Sequence, residues 1–238
     1  ILVTTVEHVE WDYRKERFIA ERRSLVGSIR LSSQPLEQVS EEARAGALLG
    51  MVRKKGLGIL PWSKNLQQWR ARVMLLHRTW ASTENNPWPD LSDAALLQTL
   101  ESWLQPYLGP VRRIEDFQAL DIKGILRALL PWPLPLELER QAPERWAVPS
   151  GSSVAIDYSQ DPPVLAVKLQ EMFGCEETPT IADGRVALLI HLLSPGQHPL
   201  QITQDLAGFW RSGYQDVKRE MKGRYPKHPW PDDPLQAV

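Results

Sequence analysis

Ser152-Ser153-Val154-Ala155-Ile156-Asp157-Tyr158-Ser159-Gln160-Asp161-Pro162-Pro163-Val164-Leu165-Ala166-Val167-Lys168-Leu169 decides how the chain is to be read. Apolar and polar residues alternate from Ser152 to Tyr158, the period of a half-buried strand. Asp161-Pro162-Pro163 is a turn, and Val164 to Leu169 is the return strand. Downstream, Asp183-Gly184 signals a tight turn, and Arg185 to Leu193 is a nearly continuous apolar run suited to a buried strand. Residues 143–200 therefore read as a β block.

A second β block occupies residues 1–35. Val3, Val6 and Val9 lead to the aromatic strand end Trp11-Asp12-Tyr13, and Arg14 to Arg17 is a turn candidate. Phe18-Ile19-Ala20 restarts a strand, Leu25, Val26, Ile29 and Leu31 give another, and Pro35 ends it. Residues 36–142 read as helical. Ser40-Glu41-Glu42-Ala43 opens one helix, closing near Gly56. Leu66, Trp69, Val73, Leu76 and Trp80 form an apolar stripe at helical spacing on the next. Ser92 caps a third, and Ile114 to Leu130 is a fourth, ended by Pro131. After residue 200, Thr203 caps a final helix with Trp210, Tyr214, Val217 and Met221 on one face, and Gly213 weakens or splits it.

Neither β block is comfortable alone, because three short strands leave edges open. The economical expectation is an α+β chain in which residues 1–35 and 143–200 join into one small sheet or OB-like barrel. The helical bundle of 36–142 is then an insertion, and 201–238 a C-terminal helix with a Pro/Trp-rich tail.

Bulk composition narrows the class. At 238 residues, 42% hydrophobic and 24% charged, the chain suits one large globular domain or two ordinary ones. No run of 18 apolar residues spans a membrane, and no secretory leader is visible. The start at Ile1 reads as that of a fragment. Its single cysteine, Cys175, forms no internal disulfide and fits a reducing cytoplasm. The net charge of −1 excludes a uniformly basic nucleic-acid binder, so any such role must come from local patches. Ten Trp and twenty Pro are the oddities, and Trp62, Trp88, Trp132 and Trp230 each adjoin a proline, suggesting plugs that seat loops on the core.

Catalytic motifs are missing. There is no G-x-x-x-x-G-K-[ST] loop, no G-x-S-x-G elbow and no S-x-x-K pair. Gly56-Leu57-Gly58-Ile59-Leu60-Pro61 starts like a dinucleotide fingerprint, but Pro61 replaces its last glycine. His8, His77, His191, His198 and His228 show no metal-ligand spacing. Neighbouring acids such as Glu41-Glu42 and Asp232-Asp233 point apart on a regular element and read as solvated charge. No catalytic and no metal-binding residue is assigned.

Two local charge patterns remain. From Arg211 to Trp230 six cations face only Asp216 and Glu220, and aromatics and prolines alternate with the cations at the end. Cations that neutralise phosphates and rings that stack on bases are what a sequence-tolerant single-strand contact needs. Lys218, Arg219, Lys222, Arg224 and Lys227 are the candidate phosphate contacts, with Tyr225, His228 and Trp230 as stacking rings. Arg22 and Arg23 on the early β block are secondary candidates. The competing reading is a proline-rich strap that buries its own rings. The second pattern is the acid-free interval between Glu42 and Glu84, holding Arg44, Arg53, Lys54, Lys55, Lys64, Arg70, Arg72 and Arg78. It is either a phosphate-tracking face or a solubilising one.

Several strings together resemble a known family. Ala142-Pro143-Glu144-Arg145-Trp146-Ala147-Val148-Pro149-Ser150-Gly151-Ser152, Ile156-Asp157-Tyr158 and Val164 through Gly174 are similar to the C-terminal region of HrpB-type bacterial DEAH-box ATP-dependent RNA helicases. Leu192-Leu193-Ser194-Pro195, Gln201 through Trp210, and Arg224-Tyr225-Pro226-Lys227-His228-Pro229-Trp230-Pro231 continue the likeness, which covers about residues 120–234. The first 119 residues fit more loosely. The resemblance implies that ATP and Mg²⁺ belong to two RecA-like motor domains carrying a phosphate-binding loop and a DExH box. This chain has neither, so no cofactor is expected in it. It implies a non-catalytic accessory region, OB-like and near the RNA exit path, whose partners are single-stranded RNA and the motor domains of the same polypeptide. The alternative is a protein-interaction module with the Trp-Pro segments as anchors.

Overall fold

The computed structural model describes residues 3–15, 17–36 and 38–236, the side chain of Arg17 excepted. The chain divides into two compact units, one formed by residues 1–66 and 90–130, the other by 67–89 and 131–238.

In the first unit the early β block folds into strands, as expected. Strands β1 (Thr4–Asp12), β2 (Arg17–Val26) and β3 (Ile29–Pro35) form an antiparallel meander in the order β1-β2-β3. Helix α1 (Glu41–Lys55) follows, and Ser40 caps it, its hydroxyl accepting from the Ala43 N–H. Glu41 and Glu42 fill the first turn and Arg53 to Lys55 the last, each charge opposing the end of the helix dipole it meets. α1 buries Leu48, Leu49, Met51 and Val52 and lies against β1, where Trp11 is also buried. Helix α2 (Lys64–Thr79) starts in this unit. Helices α3 (Asp93–Gln98), α4 (Leu100–Trp103) and α5 (Ile122–Arg127) complete it. Ser92 caps α3 as expected, and the Trp103 indole donates to the Leu96 carbonyl. The segment read as one helix from Ile114 to Leu130 is instead a 3-10 turn (Ile114–Ala119) and α5. Asp121 separates them, accepting from the Gly124 N–H as a cap.

In the second unit the body of α2 and helix α6 (Leu134–Gln141) accompany a five-stranded mixed sheet. Its strands are β4 (Arg145–Ala147), β5 (Ser153–Asp157), β6 (Val164–Lys168), β9 (Leu189–Leu193) and β10 (Pro199–Thr203). The order is β10-β9-β6-β5-β4. The hairpin predicted from residues 152–169 is present, with Ile156 opposite Leu165 and Asp157 opposite Val164. β6 and β9 pair in parallel, from Val164 with Leu189 to Lys168 with Leu193. That pairing needs a crossover, which residues 169–188 supply with a small ribbon, β7 (Thr180–Ile181) and β8 (Val186–Ala187). The apolar run from Arg185 to Leu193 is therefore two strands, parted at the buried Leu188.

The expected joint barrel is corrected. Among the described residues β1 to β3 pair only with one another, and β4 and β10 are the two edges of the later sheet, without OB-like closure. The local reason is the parallel β6–β9 pair: it completes the later sheet from within its own unit, a partnership that alternation cannot reveal. Residues 36–142 likewise form no single inserted bundle, because their helices are shared between the two units.

Arg72 holds the helical side of the second unit. Its side chain is 1% exposed. Its guanidinium donates to the Ala142 carbonyl at 2.5 Å and the Leu138 carbonyl at 3.4 Å. It also meets Glu139 at 2.8 Å and Glu144 at 3.1 Å. One planar fork thus joins α2, the end of α6 and the approach to β4. Arg72→Met is expected to destabilise this unit by about 2–4 kcal/mol, because the buried Ala142 carbonyl loses its donor and the ion pairs to Glu139 and Glu144 are removed. Glu139→Gln should change stability by under about 1 kcal/mol, its carboxylate being largely in water. Urea denaturation followed by tryptophan fluorescence measures both.

Candidate nucleic-acid interface

The basic strip lies on the last helix and the tail behind it, both in the second unit. Helix α7 (Leu206–Gly208) is capped by Asp205, whose carboxylate accepts from the Gly208 N–H at 2.7 Å. Thr203, the expected cap, instead accepts from the Asp205 N–H and sets up that residue. A π-helical turn follows over Phe209–Gly213, in which the Tyr214 N–H bonds to the Phe209 carbonyl, and α8 (Tyr214–Arg224) continues from it. Gly213 marks the break, as expected. A Cβ there would stand 2.8 Å from the Phe209 ring, so the position admits only glycine without movement of that ring.

The buried face of this helix is aromatic. Phe173, Phe209, Trp210 and Tyr214 meet at ring-centroid distances of 5.1 to 6.2 Å in tilted and edge-on arrangements. The Trp210 indole donates to the Cys175 carbonyl at 2.7 Å. The tail then folds back over α8. The Tyr214 hydroxyl donates to the Pro231 carbonyl at 2.8 Å, Gln215 to the Asp232 carbonyl at 3.0 Å, and the Trp230 indole to the Tyr225 carbonyl at 3.0 Å. Residues 225–234 are therefore a strap with specific fastenings, as the competing reading of the sequence required.

This geometry sorts the candidate residues. Trp230 is 7% exposed and fastened, so it is no stacking ring. Lys218 is 9% exposed and bonds to Asp232, so it leaves the phosphate-contact set. Its bond is the main reason the Asp232 carboxyl lies below the usual range. Arg219 is exposed but pairs with Asp216 one turn away. Lys222, Arg224, Lys227 and His228 are exposed, and Tyr225 is half-buried. His228 meets the Tyr225 ring edge-on at 6.2 Å. Arg224 and Lys227 have no ion-pair partner among the described residues. Beside them a cleft of about 200 Å³ opens between α8 and the β9–β10 turn. Its turn wall, Ser194 to Leu200, contains none of the contact residues expected from the sequence.

The early arginines lie in the first unit. Arg22 is exposed, 3.5 Å from Glu7. Arg23 is held between Glu21 at 3.1 Å and Glu10 at 3.6 Å. The Ser33 hydroxyl and then Arg23 hold the Glu21 carboxyl below its ordinary range. Arg23 is thus already neutralised.

The acid-free interval also acquires partners in space. In the first unit Arg53 pairs with Glu101 at 2.6 Å, Arg44 donates to the Gly109 carbonyl, and Lys54 sits 3.7 Å above the Tyr13 ring. In the second, Arg72 is buried and Arg78 lies 3.6 Å from Asp161. It is not one basic face. Three of the Trp-Pro plugs are seated: Trp88 and Trp230 are buried, and the Trp62 indole donates to the Leu57 carbonyl. Trp132 departs from the pattern at 76% exposed. Among the described residues no cluster of His, Cys, Asp and Glu could hold a metal, and no helix is long and apolar enough to cross a membrane.

The family described as "ATP-dependent helicase C-terminal" (HrpB_C) matches residues 103–234, more than half of the chain. The chain belongs to the HrpB C-terminal helicase family. The connector region of ATP-dependent RNA helicase HrpB matches residues 2–36, which hold the β1–β3 meander. The chain is 44% identical over all 238 residues to ATP-dependent RNA helicase HrpB of Escherichia coli strain K12, and spans 29% of its length. A crystal structure of the E. coli DExH-box NTPase HrpB is similar, with a TM-score of 0.80, 43% identity, and coverage of 98% of this chain and 29% of that one. A crystal structure of the E. coli DEAH/RHA helicase HrpB gives 0.71 at 42% identity, covering 97% and 29%. The HrpB resemblance seen in the sequence is thereby established, and the mixed α+β architecture with it.

Two outcomes test the strap. Trp230→Ala is expected to destabilise the second unit by about 3 kcal/mol and to raise amide exchange in residues 225–234. Arg224→Glu and Lys227→Glu, on exposed positions, should shift stability by under about 0.5 kcal/mol. Burial pushes the Tyr214 hydroxyl up to about 12, with Asp232 adding to it. The neutral phenol is the form the fold prefers, so its contribution is whole below pH 10 and is lost as pH rises through about 12. Tyr214→Phe should flatten that alkaline limb in a pH series of denaturation midpoints.

Proposed function

We propose that this chain is a non-catalytic accessory region of an ATP-dependent RNA helicase, and that it grips single-stranded RNA at the C-terminal end of α8. What carries the reading is the similarity, over all of this chain and 29% of the relative, to a protein described as an ATP-dependent RNA helicase, combined with the exposed, unpaired Arg224 and Lys227 beside two aromatic rings. Lys222, Arg224 and Lys227 neutralise phosphates, and Tyr225 and His228 offer ring surface to bases. Lys218, Arg219 and Trp230 serve the helix and strap instead. ATP and Mg²⁺ belong to motor domains outside this chain, which has no phosphate-binding loop of its own. The setting is the cytoplasm.

A second contact belongs to the same reading. Ile29 and Leu31 on β3 are 67% and 58% exposed, within the segment that matches the HrpB connector. Exposed apolar residues on a strand favour a covering partner, and the motor domains of the same polypeptide are that partner.

Fluorescence anisotropy of a labelled single-stranded RNA, titrated with the chain at increasing salt, tests the RNA contact. Three neutralised phosphates give a slope of log affinity against log salt of about −2. The Arg224→Glu/Lys227→Glu variant should lose at least tenfold in affinity and most of that slope, about 1.4 kcal/mol or more. Absence of binding at low salt, or binding without a salt slope, overturns the reading.

A further inference from the structure

The cleft beside α8 supports an inference that deepens the RNA reading and rests on it. One wall is a tight turn between β9 and β10. The Ser194 N–H bonds to the His198 carbonyl and the Gln197 N–H to the Ser194 carbonyl, both at 2.8 Å. The His198 N–H bonds to the Ser194 hydroxyl at 3.1 Å, so the turn is stiff. Gly196 lets this wall approach the helix, since a Cβ there would stand 2.8 Å from the Tyr225 hydroxyl. That hydroxyl lies 3.5 Å from the Ser194 hydroxyl and closes the end of the cleft.

The other wall is one face of α8, with Val217, Glu220, Met221 and Arg224 at helical spacing and Tyr225 just past its end. The space, about 200 Å³, is below the roughly 300–1,000 Å³ of sites for drug-sized ligands and suits one planar ring system. The lining is mixed: apolar carbon from Val217, Met221 and Leu200, and polar groups from Ser194, Glu220 and Arg224. Among the described residues neither Glu220 nor Arg224 has an ion-pair partner. A bare anion is disfavoured inside, because the Glu220 carboxylate would repel it. A neutral base whose own phosphate lies outside meets both charges favourably.

We propose that this cleft takes one unstacked base of single-stranded RNA, with Arg224 on the adjoining phosphate, Tyr225 giving ring surface, and Glu220 accepting from an exocyclic amine. A carboxylate only accepts. Cytosine offers an amino donor at N4, whereas uracil turns a carbonyl acceptor to the same place. Two acceptors face to face are left unsatisfied, so Glu220 selects against uridine.

The test compares short labelled oligocytidine and oligouridine binding to the 238-residue chain at low salt. Oligocytidine is expected to bind about fivefold or more tightly, the low end of what one base-edge contact discriminates. Glu220→Gln, on an exposed helix position, should close that gap, because an amide can also donate to the uracil carbonyl. Equal affinities that Glu220→Gln leaves unchanged overturn the base subsite while the RNA reading stands. Failure of both oligonucleotides to bind overturns both readings.

Discussion

The second unit depends on one buried cation. Arg72 reaches two carbonyls at the end of α6 and two carboxylates, and no other side chain offers donors in that spread. The Ala142 carbonyl lies just past the end of α6, beyond its helical donors, while the Leu138 carbonyl accepts from the Ala142 N–H and takes Arg72 as a second, longer donor. Arg72 reaches them from α2, a helix distant in sequence. The chain leaves α6 in a fixed direction, and β4 and β5 start from there. The Tyr158 hydroxyl bonds to the Pro143 carbonyl at 2.6 Å, just past the same junction, which ties the β5 end of the hairpin to it.

Charge in this chain is sorted by fastening rather than by density. The cationic stretch from Arg211 to Trp230 holds Lys218 and Arg219, which are engaged by Asp232 and Asp216. The cations left to solvent cluster where α8 gives way to the strap. The same strap that withdraws Trp230 supplies Asp232 and sets Tyr225 beside Gly196. Fastening and the proposed RNA contact therefore draw on neighbouring residues in one segment, which is why composition alone could not separate them.

Local chemistry made much of the fold legible. Ser40 and Ser92 cap their helices as their residue type demands, Gly213 breaks the last one, and the hairpin around Asp161-Pro162-Pro163 has its expected pairing. What failed was partner choice. The parallel union of β6 and β9 crosses an interval of ribbon and turns, and no periodicity in either strand names the other. The acid-free interval misled for a similar reason: Glu101, Glu139, Glu144 and Asp161 reach it from later sequence. At the proposed site, Lys222, Arg224, Lys227, Tyr225 and His228 stand out in the sequence as residue types in a pattern, and they are the candidates whose side chains reach solvent or half reach it. The burial of Lys218 and Trp230 was not, because it depends on where the chain reverses after Arg224.

The π-helical turn at Phe209–Gly213 acts as a phase-setter for everything after it. It holds one residue more than a regular turn, and one residue is about 100° of rotation around a helix. Phe209 and Tyr214, five positions apart, share the buried side only because of that surplus. Shortening the turn by one residue would keep every side chain of α8 yet swing them all around its axis. Lys222 and Arg224 would leave their present bearing, and the Tyr214 hydroxyl would no longer meet Pro231. In such a helix, residue count is itself a determinant of which chemistry faces water.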